Sequence, residues 1–262
     1  MTRSIWIAWL YLRVGAMNEI QYRANFVVQI FQALVALATG LISLWLIFSH
    51  THALDGWTGP QLLALMGIYT IIGAVVAAII QPNMQQLMDD IQQGNFDYVL
   101  TKPEDAQLLA SVRQIQIWQM VDFLTGLIIL TIALTRIGAR IGAAETIAFL
   151  VMIALGAILI YSFWLILTTV AFWVVRMDQI VDLFEGAFAA GRYPVGIYPF
   201  WLRFGLTFLI PVAFAVTVPA EAVTGRLGWQ TVVGAFGLVI AFFTAGRVLW
   251  RLGLRRYSGA SS

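Results

Sequence analysis

The chain has 262 residues, of which 61% are hydrophobic and only 11% are charged, and its mean hydropathy is +0.86. A soluble domain carries about 25% charged residues, because its surface has to be solvated. This composition excludes a soluble globular protein and predicts an integral membrane protein. The hydrophobic residues suffice for about six helices of about 20 residues each, which leaves no room for a fused catalytic or nucleic-acid-binding domain.

Missing residue types exclude several kinds of chemistry. The chain has no cysteine, which excludes a disulfide framework, a thiolate metal site and thiol catalysis. It contains no GxxxxGK(S/T) phosphate-binding loop, no HExxH motif and no GxSxG motif. The pI near 9.1 accompanies a net charge of only +2, which is no signal for nucleic-acid binding. We therefore expect no catalytic residue, metal or cofactor in this chain, and no nucleic-acid partner.

Residues 1–22 are predicted to form an amphipathic helix that lies in the membrane interface ahead of the first span. Ile5, Trp9 and Leu12 fall on one helical stripe, while Arg3 and Glu19 can reach water. An ordinary membrane anchor without a part in the mechanism would show the same pattern. The residues alone leave both interpretations open.

Stretches without charged residues mark the membrane spans. Asp, Glu, Lys and Arg are absent from residues 24–54, 56–88, 146–175 and 227–246. Each stretch is long enough to cross about 30 Å of hydrocarbon. A fifth span near residues 114–135 is interrupted only by Asp122, and a sixth must come from residues 178–224.

The distribution of basic residues predicts the orientation. If the spans alternate, one side of the membrane holds Arg3, Arg13, Arg23, Lys102, Arg113, Arg176, Arg247, Arg251, Arg255 and Arg256. The other side holds only Arg136, Arg140 and Arg226. Because cytoplasmic loops carry an excess of Lys and Arg, we expect both termini in the cytoplasm.

The region ahead of the last span admits two models. In one model, residues 204–220 form the fifth span. In the other, a short helix near residues 179–191 crosses outward, and residues 199–224 dip into the outer leaflet and return. The distribution of charge favours the first model, whereas Pro211 and Pro219 interrupt the apolar run as expected of a re-entrant turn. The residues leave both models open.

Residues 81–116 form the only long polar stretch. A helix from about Asn83 to Gln92 is predicted to stop at Gly94, which suits a helix C-cap. A second helix is expected to begin around Pro103. Carboxylates alternate with apolar residues along this stretch, so it is either a docking surface for a partner or a solvated connector.

Polar side chains form a stripe on the first span. They recur at helical spacing, at Gln29, Gln32, Thr39 and Ser43. Because amides that face lipid are costly, the stripe should face other helices or a substrate pathway. Hydrogen bonding between helices and lining of a pathway both explain it.

A motif in the polar stretch points to a family. Residues 94–103 read Gly-Asn-Phe-Asp-Tyr-Val-Leu-Thr-Lys-Pro and are similar to the G-x-x-D-x-x-L-x-(K/R)-P segment of ABC-2 type transporter permeases. In that family the segment also follows the second span. Further motifs match in the same order along the whole chain.

The outer part of the chain carries these further motifs. Residues 192–195 and 198–203 resemble the segment after the family's short fifth helix. Residues 208–211 and 218–221 are similar to its proline-containing re-entrant element. The resemblance assigns to this outer segment Arg192, Pro194, Pro199, Pro211, Pro219 and Glu221.

The resemblance implies an all-α integral membrane protein that forms a single domain over residues 1–262. It has an interface helix, six transmembrane helices, a cytoplasmic coupling helix after the second span, and re-entrant outer helices before the sixth. The expected spans are residues 24–49, 61–82, 114–135, 145–175, 178–192 and 228–250. The coupling region covers residues 83–112, and the re-entrant segment covers residues 194–224.

The resemblance also implies a function and partners. Two such permeases, identical or related, assemble with two separate ATPase subunits in the bacterial inner membrane, where ATP and Mg²⁺ are bound by the ATPases. Most family members export lipids, glycans or hydrophobic drugs. The residues expected to couple to the ATPase are Leu87, Met88, Asp89, Asp90, Ile91, Gly94, Phe96, Asp97, Lys102 and Pro103. Apolar members of this set would fill a groove on the ATPase, and carboxylates would meet basic residues at its rim.

Two other classes of function fit parts of the sequence. A self-sufficient channel or secondary transporter needs ionisable residues within the spans, and Asp122, Asp182 and Glu185 are the candidates. A membrane scaffold without transport activity would also carry a polar docking loop. An ATPase that copurifies with the chain would distinguish the ATP-driven exporter from both.

Overall fold

A computed structural model of the chain describes residues 10, 13–14, 17, 23–102, 105–138, 142–173 and 178–257. Most of the predicted interface helix and Pro103 therefore lie outside the described residues. Within these residues the longer helices are α1 (Arg23–His50), α2 (Gly59–Val75), α3 (Gln81–Gln92), α6 (Met120–Ile137), α7 (Ala143–Val170), α8 (Asp178–Ala190), α10 (Val212–Val223) and α11 (Trp229–Arg256). The shorter ones are α4 (Asp97–Leu100), α5 (Ala106–Ser111) and α9 (Phe200–Phe204). The described residues contain no strand, which confirms the predicted all-α class.

Five helical stretches of the described chain are long and apolar enough to cross a membrane. They are Asn25–His50, Gly59–Gln92, Ile117–Ile137, Ala143–Val170 and Trp229–Arg256. A sixth is reached if a bent pair of helices ahead of α11 counts as one span. The prediction of a multi-pass membrane protein is confirmed at this level.

The second span is a helix of 34 residues, Gly59–Gln92, which joins α2 to α3 through a π-helical turn at Val76–Ile80. At 1.5 Å per residue it is about 51 Å long, so it extends about 20 Å beyond a hydrocarbon core of about 30 Å. The helix has no break between residues 82 and 83, where we expected the span to end and a separate coupling helix to start. We call this continuous helix the long rod.

Pro82 does not interrupt the long rod, because the carbonyl that it leaves free finds another donor. A proline has no N–H for the carbonyl four residues earlier, which here is that of Ala78. The backbone N–H of Gln116 donates to that Ala78 oxygen at 2.9 Å. A π-helical turn at Val76–Ile80 ends two residues before Pro82.

The core lies where α2, α6, α7 and α10 pack together. Gly67 and Gly126 lie at the crossing of α2 and α6, where a Cβ on Gly67 would come within 2.8 Å of the Leu130 nitrogen. Gly156 on α7 meets the backbone of Ala215 on α10 in the same way. Small residues let these helix backbones approach closely. By contrast, α1 and α11 pack at the periphery and leave many large apolar side chains exposed.

The helices α8, α9 and α10 ahead of α11 are each shorter than the about 20 residues that usually span the hydrocarbon core. The 13 residues of α8 reach about 20 Å. The stretch Phe200–Leu209 then meets Val212–Val223 at an angle of 91°, with Pro211 at the bend. Such a bend is the geometry of a re-entrant hairpin or of a broken span. The second limb is almost entirely buried by the rest of the protein, which is the condition under which a broken helix is tolerated at membrane depth.

Candidate functional site

Two regions have the polar and aromatic side chains that a transport protein would use. The first region is the end of the molecule that holds residues 93–102 and 105–116, which we call the long-loop end. The second is a cavity between α1, α2, α6 and α8.

At the long-loop end, the last part of the long rod is clamped to residues 113–116. The Asn83 side chain donates to the Gln114 carbonyl at 2.8 Å and accepts from the Gln114 N–H at 2.8 Å. Asp90 forms an ion pair with Arg113 and also accepts a hydrogen bond from Gln86. Asn83 and Asp90 are both buried, so these bonds satisfy polar groups that would otherwise be costly.

The structure corrects the expected role of the apolar coupling residues. Leu87, Met88, Ile91 and Phe96 have exposed fractions of 1%, 6%, 8% and 0%. They pack in the protein's own core and therefore have no surface with which to fill a groove on an ATPase. Asp90 is likewise buried and paired, so it is not a rim residue either.

Phe96 lies at the centre of an aromatic cluster. Its ring makes edge contacts with Phe172, Trp250 and Tyr257, at centroid distances of 6.0, 5.9 and 5.5 Å. Phe172 follows α7, whereas Trp250 and Tyr257 lie on and just after the last turns of α11. The cluster thus packs the turn after the long rod against the ends of α7 and α11.

A second set of contacts ties α5 to the same two spans. Asp105 caps the first turn of α5 by accepting from two backbone N–H groups, and it forms an ion pair with Arg247 of α11 at 3.3 Å. Arg247 also donates to the Gln107 side chain. The Tyr161 hydroxyl of α7 bonds Gln107 at 3.0 Å and Ser111 at 2.8 Å. Side-chain contacts therefore connect the long rod, α5, α7 and α11 to one another at the long-loop end.

A small surface remains exposed at this end. Its members are side chains on the last turn of α3, in the following turn and on α4, namely Asp89, Gln93, Asn95, Tyr98 and Leu100. We call it the tip surface. Tyr98 is 74% exposed and Leu100 is 42% exposed. Gly94, in the turn that ends the rod, has φ of 72°, a conformation that glycine adopts without a steric cost. Asp97 is half-buried, and Lys102 is exposed beyond α4.

The cavity has a volume of about 350 Å³. Two of the four residues predicted to line a pathway, Gln29 and Gln32, line it. Thr39 and Ser43 do not line it, and their hydroxyls bond carbonyls of their own helix at 2.8 Å. Only the first half of the predicted stripe therefore lines the cavity, because no residue of α1 after Leu37 contributes to the lining.

Charged and aromatic groups from three other helices complete the cavity. Gln29 donates its amide to Asp122 at the start of α6 and, at 3.4 Å, to the Gln119 side chain. The Arg192 guanidinium lies 5.6 Å from the ring centre of Tyr69 on α2. The ring of Phe188 on α8 stacks on the Tyr69 ring, with 4.9 Å between the ring centres. The described part of the chain thus contributes one carboxylate and one guanidinium to the cavity, within a membrane-spanning bundle.

A comparison with protein families decides what kind of protein this is. The profile of the family described as ABC-2 family transporter protein matches residues 34–261, which is most of the chain. The chain belongs to this family. The family resemblance of the sequence is confirmed, and membership supports a permease role for the chain. No significant match was found among curated proteins or among solved structures.

In this ABC-2 family protein the six residues assigned to the outer segment do not form one site. Arg192 points into the cavity. Pro194, Pro199 and Pro211 each stand just before a helical turn, where the fixed φ of proline suits the start of a helix. Pro219 is buried inside α10, and Glu221 is half-buried near its end. The four prolines therefore shape the backbone of this segment.

Sequence reasoning missed that Asp122 and Arg192 share a cavity in this ABC-2 protein. Asp122 stood out as a charge inside a span, and Arg192 stood out in a motif, but 70 positions separate them. The sequence did not indicate a role for Tyr69 or Gln119, because neither residue stands out from the hydropathy pattern around it. Only the packing of four helices brings these side chains together.

Proposed function

We propose that this protein is the permease subunit of an ATP-driven exporter, with ATP and Mg²⁺ bound by two separate cytoplasmic ATPase subunits. The long rod is the observation that carries the proposal. It runs as one helix of about 51 Å from the far end of the bundle to the tip surface, and polar clamps fasten its last turns to the body. A displacement of the tip by an ATPase would move the whole second span.

The tip surface supplies the contact in this proposal. Tyr98 and Leu100 offer exposed apolar area, and tyrosine is enriched among residues that dominate binding energy. Asp89 adds an exposed carboxylate that can meet basic residues at the rim of the partner. The buried residues Phe96 and Asp90 hold this surface in place and make no contact with the ATPase.

Replacing Tyr98 with alanine tests this contact. Loss of a central aromatic contact weakens an interface by about 2 kcal/mol or more, so we expect the ATPase recovered with the tagged, detergent-extracted Tyr98→Ala chain to fall at least about tenfold. Trp229→Ala is the matched control, because Trp229 is 75% exposed at the opposite end of the bundle. If the ATPase copurifies equally with wild type and Tyr98→Ala and its hydrolysis stays coupled to transport, the tip is not the docking contact.

The proposed orientation places both termini in the cytoplasm of a bacterial inner membrane and the re-entrant hairpin on the outer side. A single cysteine at Ile197, which is 38% exposed, tests it because the chain has no other cysteine. We expect an impermeant thiol reagent to label Ile197→Cys on intact cells, as it labels His52→Cys in the outer loop. Asn95→Cys should react only after permeabilisation. Labelling of Ile197→Cys that also requires permeabilisation would instead favour a hairpin on the cytoplasmic side.

We further propose that a second permease, identical or related, covers the flank that holds Gln32, Gln81, Asp182 and Glu185. Gln32, Asp182 and Glu185 are exposed, and the Gln81 amide donates to Glu185 at 3.0 Å. Carboxylates that face lipid are costly, so this flank requires a protein or aqueous neighbour. Two permeases facing each other would enclose a path for a lipid-like, glycan or hydrophobic substrate, with membrane lipids around them.

Asp122 in the cavity also supports a second candidate, a secondary transporter driven by an ion gradient. Ionisable residues that face a cavity inside the membrane mark ion pathways in such proteins. The two candidates differ in their energy source. Transport by the purified chain in liposomes without an ATPase would support the secondary transporter, whereas strict dependence on ATP and the partner would support the exporter.

A further inference from the structure

We infer that the cavity between α1, α2, α6 and α8 binds a zwitterionic ligand, with its cationic group at Asp122 and its anionic group at Arg192. This inference deepens the proposed function by naming the chemical class of the substrate, and its biological meaning rests on that function. The binding itself does not depend on an ATPase. The ligand is the headgroup of a lipid or a free amphoteric molecule of the same chemistry.

Asp122 provides the site for the cationic group. Its carboxylate is half-buried in the first turn of α6 and accepts a hydrogen bond from Gln29, while within the described chain it forms no ion pair. An ionised carboxylate has about four acceptor sites, so most of its capacity is unused. A positively charged group in the cavity would use it, and the half-buried Gln119 amide beside it offers another acceptor oxygen.

Arg192 provides the site for the anionic group. Its guanidinium is half-buried, lies 5.6 Å from the ring centre of Tyr69 and interacts with the Tyr69 hydroxyl, and no carboxylate of the described residues forms an ion pair with it. A guanidinium has five N–H donors, so the contact with the Tyr69 hydroxyl leaves most of them available. A planar fork of donors matches the oxygens of a phosphate or carboxylate.

The balance of charge selects a zwitterion over a simple ion. Among the described residues, the lining has one acidic and one basic side chain, so a ligand with a single charge leaves one of them unpaired, which is costly away from water. The remaining wall is largely apolar and includes Ala33, Ala74 and Ile129, which suits an acyl chain or methylene groups. The volume of about 350 Å³ lies within the range of small-molecule sites.

A series of matched amphiphiles tests the inference on the purified full-length chain in a neutral maltoside detergent. Dodecylphosphocholine, dodecyltrimethylammonium, dodecyl phosphate and dodecylglycerol share one tail and differ in headgroup charge. Native mass spectrometry counts the bound molecules, and titration gives relative affinities. We expect saturable binding of dodecylphosphocholine, about tenfold tighter than that of the other three, because one charged contact contributes about this factor. Equal binding of all four would overturn the inference.

Three variants locate the site. Asp122→Asn should weaken dodecylphosphocholine binding and shift the preference to dodecyl phosphate, whereas Arg192→Gln should shift it to dodecyltrimethylammonium. Ala36→Phe, from an exposed position of α1 that lines the cavity, should abolish binding while both charges stay in place. Glu145→Gln is the control, because Glu145 is an exposed carboxylate in the first turn of α7 and lies outside the cavity lining. A preference that stays unchanged in all three variants would contradict the assignment to this cavity.

A soluble competitor distinguishes the two sources of the ligand. If a free molecule is the natural ligand, glycerophosphocholine should displace dodecylphosphocholine from the wild-type chain. If a lipid is the natural ligand, only the molecule with a tail should bind. These binding measurements use the chain without an ATPase. A negative result in the Tyr98 docking test would therefore not contradict the ligand site, and a negative binding result would not contradict the docking proposal.

Discussion

Replacing Phe96 with alanine is expected to lower the free energy of unfolding by about 3 kcal/mol, the usual cost of removing a buried aromatic ring. Phe96 is fully buried and its ring contacts Phe172, Trp250 and Tyr257. The cavity left behind would not collapse easily, because Gly253 already lies against Phe172, where an added Cβ would come within 2.5 Å. Thermal unfolding of the purified variant in detergent should show a melting temperature several degrees below that of wild type.

Tyr98→Ala is the matched control for this measurement, two positions along the same segment. Its side chain is 74% exposed, so its removal should change the free energy of unfolding by at most about 0.5 kcal/mol. The two variants should therefore separate stability from docking, since Phe96→Ala loses stability and Tyr98→Ala loses the ATPase. An unchanged melting temperature in Phe96→Ala would show that the aromatic cluster does not hold the long-loop end together.

Replacing Arg113 with methionine is expected to cost about 3 kcal/mol, because it leaves the carboxylate of Asp90 buried without its partner. Side-chain exposure is 8% for Asp90 and 29% for Arg113. Breaking a buried ion pair from one side costs about 3–5 kcal/mol, and the partial exposure of Arg113 favours the lower end. The same variant also loosens the clamp on the long rod, so transport should become less tightly coupled to ATP hydrolysis.

A double variant identifies the cause of this loss. Combining Asp90→Asn with Arg113→Met removes both charges from the site, and Gln86 can still donate to the amide oxygen that asparagine would offer there. We expect the double variant to melt at a higher temperature than Arg113→Met alone. Arg255→Met, at an exposed position of the same end, is the control and should stay within about 0.5 kcal/mol of wild type. If the double variant melts below Arg113→Met, the unpaired charge is not the cause.

Much of the fold could be predicted because lipid imposes a simple rule on the sequence. Stretches without charge had to become helices, since backbone groups in hydrocarbon must bond within their own segment. The helix end near Gly94 was also predictable, because glycine reaches positive φ without strain. The family could be recognised from ordered motifs, and the match over residues 34–261 confirms it.

The candidate sites were only partly predictable, since amphipathic patterns do not say which neighbour a side chain meets. The apolar residues Leu87 and Phe96 in a polar loop looked like a docking face, yet they pack into the protein's own core. The sequence also placed Gln29 on a face turned away from lipid without saying what it meets. Its partner Asp122 lies 93 positions away.

The sequence by itself thus determined the membrane class, the helical character of the long apolar stretches and the family, because these depend on hydrophobicity and motifs along the chain. Tertiary structure decided the continuity of the long rod, where Ala78 and Gln116 meet across a long loop. It also decided which carboxylates are paired and which two charges share the cavity. Those outcomes depend on how the helices pack, because packing brings together residues that are distant in the chain. The local sequence is compatible with many different pairings of these residues.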